Sequence, residues 1–218
     1  MRVLIATPSY SAMFPDDYVA SLIQTIHALN DAGIAYNWIY LSKCSFLPQA
    51  RDILADIFLS HSAFTHLLFI DSDMRWTPDT VPKLLSHNAP VVGAPAISRT
   101  EENATWNFTP IPGESPNENG LLRVKQIGTG VMLISRDTLE SVAFTAISYG
   151  APMHALGGKT IKNIFPTTII NNVFHGEDFT FCATLTSLSI PIAVDTTLTV
   201  GHLGTKWYTG DVSVFREL

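Results

Sequence analysis

Between residues 2 and 94 the chain alternates short apolar runs with stretches of helical period. Arg2–Pro8 is a β run that ends at a proline. Asp17–Ala32 sets Val19, Leu22, Ile23, Ile26 and Leu29 at helical spacing, and Gly33 stops it. Ile34–Leu41 reads as a second strand. Pro48–Ser60 reads as a second helix with Ile53, Leu54, Ile57 and Phe58 on one face and proline near its start. A third strand, His66–Ile70, a third helix, Pro78–His87, and a fourth strand, Pro90–Ala94, follow. Strands that alternate with helices build a mainly parallel sheet covered on both faces, so the expected class is α/β.

The pattern loosens after residue 95. Residues 98–120 hold Pro110, Gly113, Pro112, Pro116 and Gly120 among polar residues and read as a long, functional loop. Leu121–Ile127 and Gly130–Ser135 read as strands, and Arg136–Val142 as a short helix. Residues 148–175 look irregular. Glu177–Ser189 is a helix and Ile192–Asp195 a last core strand, while residues 196–218 show few regular signals. With no internal repeat and no low-complexity segment, the compositional break is read as a change of subsite within one domain, 1–218.

Composition narrows the function classes. At 46% hydrophobic and 15% charged, the 218-residue chain is not disordered. Its net charge of -6 argues against bulk nucleic-acid binding. Cys44 and Cys182 are too few for a zinc cluster or a disulfide scaffold and are expected reduced and buried. No apolar run reaches the roughly 18 residues of a membrane span. The first residues read as a strand rather than a signal peptide, so the expected location is cytoplasmic. Glycosylation-pattern matches at Asn103 and Asn107 are read as chance.

Three segments carry chemistry. The apolar run Leu67–Ile70 ends in Asp71-Ser72-Asp73. Ligands of open α/β sheets bind beyond the carboxyl ends of strands, where carboxylates can hold a hard divalent cation. Such residues also cap turns. Glu177-Asp178 opens a helix, where the dipole favours acids whether or not they are functional. His202 lies between Gly201 and Leu203-Gly204 after the last strand; histidine suits manganese beside carboxylates, though a lone histidine is commonly structural. Trp76, Trp106 and Trp207 fall in expected loops, with Tyr208 beside the last, and could stack on sugars or simply pack.

The order of these pieces resembles that of the GT-A-fold glycosyltransferases, best the inverting, nucleotide-sugar-dependent family that includes many bacterial and phage or viral enzymes. Thr7-Pro8-Ser9-Tyr10 is similar to the first-strand element that meets the nucleotide. Gln49-Ala50-Arg51 is similar to the helix start near base and diphosphate, and Gly128–Arg136 to the Gly-rich strand facing the acceptor. The resemblance runs from residue 2 to about residue 208 and departs from the usual pattern at Ser11–Pro15. It implies a single GT-A-like, Rossmann-type domain with a nucleotide-binding half (1–95) and an acceptor-binding half (96–218).

By that resemblance Asp73 and His202, with Asp71, would hold Mn2+ or Mg2+. Thr7, Pro8, Ser9, Tyr10, Arg51, Asp71 and Ser72 would meet the nucleotide, and Lys206 the diphosphate. Asp178, beside Glu177, would be the catalytic base, and Gly130, Trp76, Trp106 and Trp207 would border sugar and acceptor. The implied partners are a nucleotide sugar, UDP-sugar favoured, and a hydroxyl acceptor of glycan, glycoprotein or lipid type. A sugar nucleotidyltransferase is the rival enzyme, but Ser9–Phe14 lacks its basic Gly-rich loop. A non-catalytic nucleotide-sugar-binding module is the rival from another class.

Overall fold

Side chains of a strand alternate between faces, and here that alternation creates two separate cores. In the computed structural model, which describes residues 1–99, 105–151 and 158–210, strand β1 (Arg2–Pro8) turns Leu4 and Ala6 to one face and Val3 and Ile5 to the other. Helix α1 (Asp16–Asp31), β2 (Ala35–Leu41), α2 (Leu47–Leu59), β3 (His66–Ile70), β4 (Met74–Arg75), α3 (Thr80–Ser86) and β5 (Val91–Gly93) complete the first half. The second half holds β6 (Phe108–Pro110), β7 (Leu121–Ile127), β8 (Val131–Ser135), α4 (Arg136–Thr145), β9 (Ser148–Gly150) and β10 (Thr160–Lys162). It continues with β11 (Thr168–Ile170), β12 (Val173–His175), α5 (Glu177–Ser187), β13 (Ile192–Asp195), β14 (Gly201–Leu203) and β15 (Trp207–Thr209).

Eight strands form the main sheet in the order β2-β1-β3-β8-β5-β13-β7-β6. β1 pairs in parallel with β2 and β3, and β5 with β13, whereas β8 and β7 run against their neighbours. The sheet is therefore mixed: the expected parallel strands are interrupted by two opposed ones. Leu67 and Phe69 of β3 join Leu4 and Ala6 beneath α2, α4 and α5, while Leu68 and Ile70 join Val3 and Ile5 beneath α1 and α3. The α/β layering expected from the sequence is what the chain adopts.

Several expectations shift in detail. The buried stripe of α1 is Tyr18, Leu22, Thr25 and Leu29, while Val19 and Ile23 face solvent. Tyr18 is drawn inward because its hydroxyl meets Thr7 Oγ1 at 2.5 Å. Gly33 does end the helix, at φ 66°. Residues 148–175, read as irregular, contain two hairpins, β9–β10 and β11–β12, and the second turns through Asn171 and Asn172 at positive φ. The stretch read as the 98–120 loop contains β6, and β14, β15 and β4 form a small sheet of their own. Both cysteines are free and buried. Asn103 of the glycosylation match lies outside the described residues. No described helix is long and apolar enough to cross a membrane.

Asp52 fastens the β9–β10 region to α2. It is 1% exposed; its Oδ1 accepts from the backbone of Ile164 and Phe165 at 2.8 Å, and its Oδ2 from the Tyr149 hydroxyl at 2.9 Å. Burial raises its pKa to about 6 against the opposing pull of these three donors. The native state thus holds the proton more tightly than the unfolded chain, a contribution present below the ordinary 3.8 and lost as pH rises through about 6. Asp52→Ala strands two buried amides and is expected to lose roughly 2–4 kcal/mol in urea unfolding. Asp52→Asn keeps an acceptor for both, and is expected to stay within about 1 kcal/mol and to flatten the stability change between pH 4 and 6.

Candidate active site

One buried cation joins the segments singled out in the sequence. Arg51, near the start of α2, has a side chain only 2% exposed. It grips Asp71 with both arms, Nη1 to Oδ1 at 2.9 Å and Nη2 to Oδ2 at 3.0 Å, and donates through Nε to Glu177 Oε1 at 3.2 Å. The guanidinium also lies over the Phe69 ring, 5.4 Å from its centroid. Burial alone would weaken its hold on the proton, but Asp71 and Glu177 raise its pKa above the ordinary value. For Asp71, burial pushes the pKa up while Arg51 pulls it down, and burial prevails.

The turn after β3 then presents Asp73 in another direction. Asp71 donates its N–H to the Gly130 carbonyl at 3.0 Å, and Met74 donates to the Asp71 carbonyl at 3.1 Å. β14 pairs with β4 so that His202 lies opposite Met74, and Leu203 N–H donates to the Asp73 carbonyl at 2.8 Å. This places His202 Nε2 3.5 Å from Asp73 Oδ2. The other ring nitrogen, Nδ1, is 3.1 Å from the Ile97 carbonyl, which can only accept, so Nδ1 carries a proton. Nε2 and Oδ2 therefore face one another as acceptors unless a cation or a second proton lies between them. Burial would raise Asp73 and lower His202; their mutual attraction reverses both, holding Asp73 below the usual carboxylate value and His202 above the usual imidazole value.

Asp178, the second residue of α5, accepts the Phe179 N–H on Oδ1 at 2.7 Å. A Cβ on Gly128 would sit 3.3 Å from Asp178 Oδ2 and 3.2 Å from Asn107 Nδ2, so glycine is what lets the β7–β8 turn lie against this carboxylate. Burial first, then the charge of Glu177, raises the Asp178 pKa above its ordinary value.

These residues line one cleft of about 360 Å³, within the size range of small-molecule sites. Among the described residues, Asp71, Asp73, Glu177 and Asp178 share the cleft with two guanidiniums, Arg51 and Arg99. Pro8, Ser72, Gly130 and His202 also line it. The remaining expected site residues are placed elsewhere. Thr7 is buried, its hydroxyl engaged by Tyr18 and by Trp38 Nε1 at 3.2 Å. Ser9 is buried, and Tyr10 points to solvent at 67% exposure. Trp76 is a core residue, with Nε1 bonded to Thr25 Oγ1 at 2.7 Å, because β4 carries it inward under α1. Trp207 stacks on Arg75, Trp106 packs on Phe108 and against Gly210, and Lys206 lies over Tyr208. None of these is among the residues lining the cleft.

Arg99 and Asn107 were not recognised in the sequence. Arg99 Nη1 donates to Asp73 Oδ2 at 2.9 Å. Asn107 Oδ1 accepts the Ala96 N–H at 2.8 Å, which orients its amide at the cleft wall. Both fall in a stretch that reads as a polar, proline-rich loop, where Asn107 stands out only as a chance glycosylation match.

An oxygen and a nitrogen donor facing one another fit a divalent ion such as Mn2+ or Mg2+. Among the described residues no group of three or more His, Cys, Asp or Glu gathers to hold a metal. Asp73 and His202 would thus supply two ligands and leave the rest to substrate and water.

No family model matches the chain, and no curated protein matches it. Among solved structures, A197 from STIV is 20% identical, covers 94% of this chain and 86% of its own, and superposes with a TM-score of 0.54. The chain shares the fold of A197. Looser likenesses include a glycosyltransferase involved in glycosylation of the major capsid of PBCV-1, at 16% identity, 64% and 62% coverage and TM-score 0.35. Another is the catalytic domain of Drosophila β1,4-galactosyltransferase 7 in complex with xylobiose, at 10% identity, 99% and 71% coverage and TM-score 0.46.

Removing the central cation leaves the half-buried Asp71 and Glu177 without their partner. Arg51→Met is expected to lose about 2–4 kcal/mol in urea unfolding, below the full cost of a wholly buried stranded charge. Adding Asp71→Asn to that variant is expected to recover part of the loss, because one stranded charge goes with it.

Proposed function

We propose that the chain is a metal-dependent glycosyltransferase that moves a sugar from a nucleotide-diphosphate donor, UDP-sugar favoured, to a hydroxyl of a glycan, glycoprotein or lipid-type acceptor. The observation that carries this reading is the meeting, in one cleft, of Asp73 and His202, 3.5 Å apart, with the carboxylate of Asp178. A cleft with four carboxylates repels a diphosphate unless positive charge is added. Asp73 and His202 would hold Mn2+ or Mg2+, whose chemistry is to neutralise charge on the departing diphosphate.

Asp178 is the proposed base. It would take the proton of the acceptor hydroxyl as that oxygen bonds to the anomeric carbon and the carbon–diphosphate oxygen bond breaks. Its raised pKa suits it to hold that proton. Glu177 would act through Arg51 as a positioning residue, and so would Asp71, whose carboxylate is committed to the same guanidinium. Pro8 and Ser72 would border the nucleotide, and Gly130 the sugar. On this reading residues 1–95 hold the nucleotide and 96–218 complete the acceptor side, within a single domain.

Asp178→Asn is expected to lower kcat by about 10²–10⁴-fold while binding of UDP with Mn2+ stays unchanged. In the unaltered protein kcat is expected to fall, as pH drops, at a value above the ordinary aspartate pKa of about 3.9. Full turnover by Asp178→Asn would place the base elsewhere. For the metal pair, Asp73→Asn and His202→Gln are each expected to abolish the Mn2+-dependent thermal shift given by UDP. Persistence of that shift in both would refute the ligand assignment.

A further inference from the structure

We propose that Arg99 makes metal binding conditional on the diphosphate; this rests on the sugar-transfer reading above. Arg99 closes a segment whose backbone is tied down. Ile97 bridges Trp106, Ser98 donates to the Thr105 carbonyl at 2.7 Å, and Asn107 donates to the Ala96 carbonyl at 2.8 Å. From that base the Arg99 side chain reaches back to Asp73 Oδ2 at 2.9 Å and to the Leu203 carbonyl at 3.4 Å. Gly204 leaves room for its stem: a Cβ there would come within 3.3 Å of Arg99 Cβ and 3.4 Å of its Cδ.

Asp73 Oδ2 is the oxygen that also faces His202 Nε2. A divalent ion shared by Asp73 and His202 must therefore meet the Arg99 guanidinium at that oxygen. Two cations on one carboxylate oxygen repel, so the ion entering alone competes with Arg99. A diphosphate changes the balance. Its oxygens accept the arginine fork, as phosphate oxygens commonly do, and leave Asp73 to the ion. The ion and the diphosphate then each strengthen the other's binding. The Arg99 side chain is 51% exposed in its pair with Asp73, and ion pairs so open to water add little to stability. The fold does not depend on it.

The test is titration of Mn2+ into the full chain, followed by the electron paramagnetic resonance of the free ion, without nucleotide and with saturating UDP or GDP. The unaltered protein is expected to bind Mn2+ about tenfold more tightly or better with one of the two nucleotides. Arg99→Gln is expected to bind Mn2+ alone several-fold more tightly and to lose most of the nucleotide effect. Arg99→Lys keeps the charge and is expected to bind Mn2+ alone as the unaltered protein does. If Arg99→Gln keeps the full nucleotide effect, or if Arg99→Lys binds Mn2+ alone as tightly as Arg99→Gln, the role of Arg99 is overturned and the sugar-transfer reading stands. If the unaltered protein binds neither Mn2+ nor either nucleotide, both are overturned.

Discussion

The candidate site hangs on one buried guanidinium. Arg51 reaches from α2 to the residue after β3 and to the first residue of α5, and so brings together segments 126 positions apart in the chain. In each acidic pair it engages one carboxylate and leaves the other to the cleft. Asp71 is held and Asp73 is presented; Glu177 is held and Asp178 is presented. Without the clamp Asp71 and Glu177 would face the same cleft as Asp73 and Asp178 with no cation between them. The next residue, Asp52, fixes the β9–β10 region from the same helix. Two adjacent charged residues of α2 are thus turned inward, and each is satisfied by partners far away in sequence.

On the proposed function, that arrangement is how an acidic chain would accept an anionic substrate. The net charge of -6 argues against anionic partners held by bulk charge. It does not exclude one held through a cation, and Asp73 and His202 are the pair proposed above to hold one. The lowered acid and raised imidazole mark the pair electrostatically, while Asp178, half-buried and beside Glu177, is shifted the other way. Two aspartates in one cleft are thus shifted in opposite directions by their surroundings.

The first half of the fold was legible because its strands are long enough for apolar residues to reveal both faces, as Leu4, Ile5, Leu68 and Phe69 do. The hairpins of residues 148–175 were not, since strands of three residues carry no period. The Asp73–His202 and Glu177–Asp178 segments could be found from their order along the chain. What joins them could not: the β4–β14 pairing and the Arg51 clamp are tertiary facts. Trp76 shows the converse error. It follows a polar turn and reads as a loop residue, yet a short strand carries it into the α1 core, where Thr25 satisfies its indole. Arg99 left no mark beyond being a basic residue in an expected loop, because its meaning lies wholly in the oxygen it touches.

The central claim is that Asp73 and His202 jointly hold a divalent ion against a diphosphate. Anomalous diffraction at the manganese edge, from crystals grown with Mn2+ and UDP, tests it most directly. The expected result is one strong peak bonded to an Asp73 carboxylate oxygen, to His202 Nε2 and to oxygens of the diphosphate. A peak bonded to neither side chain, or UDP seated in the cleft with no ion beside it, would contradict the claim.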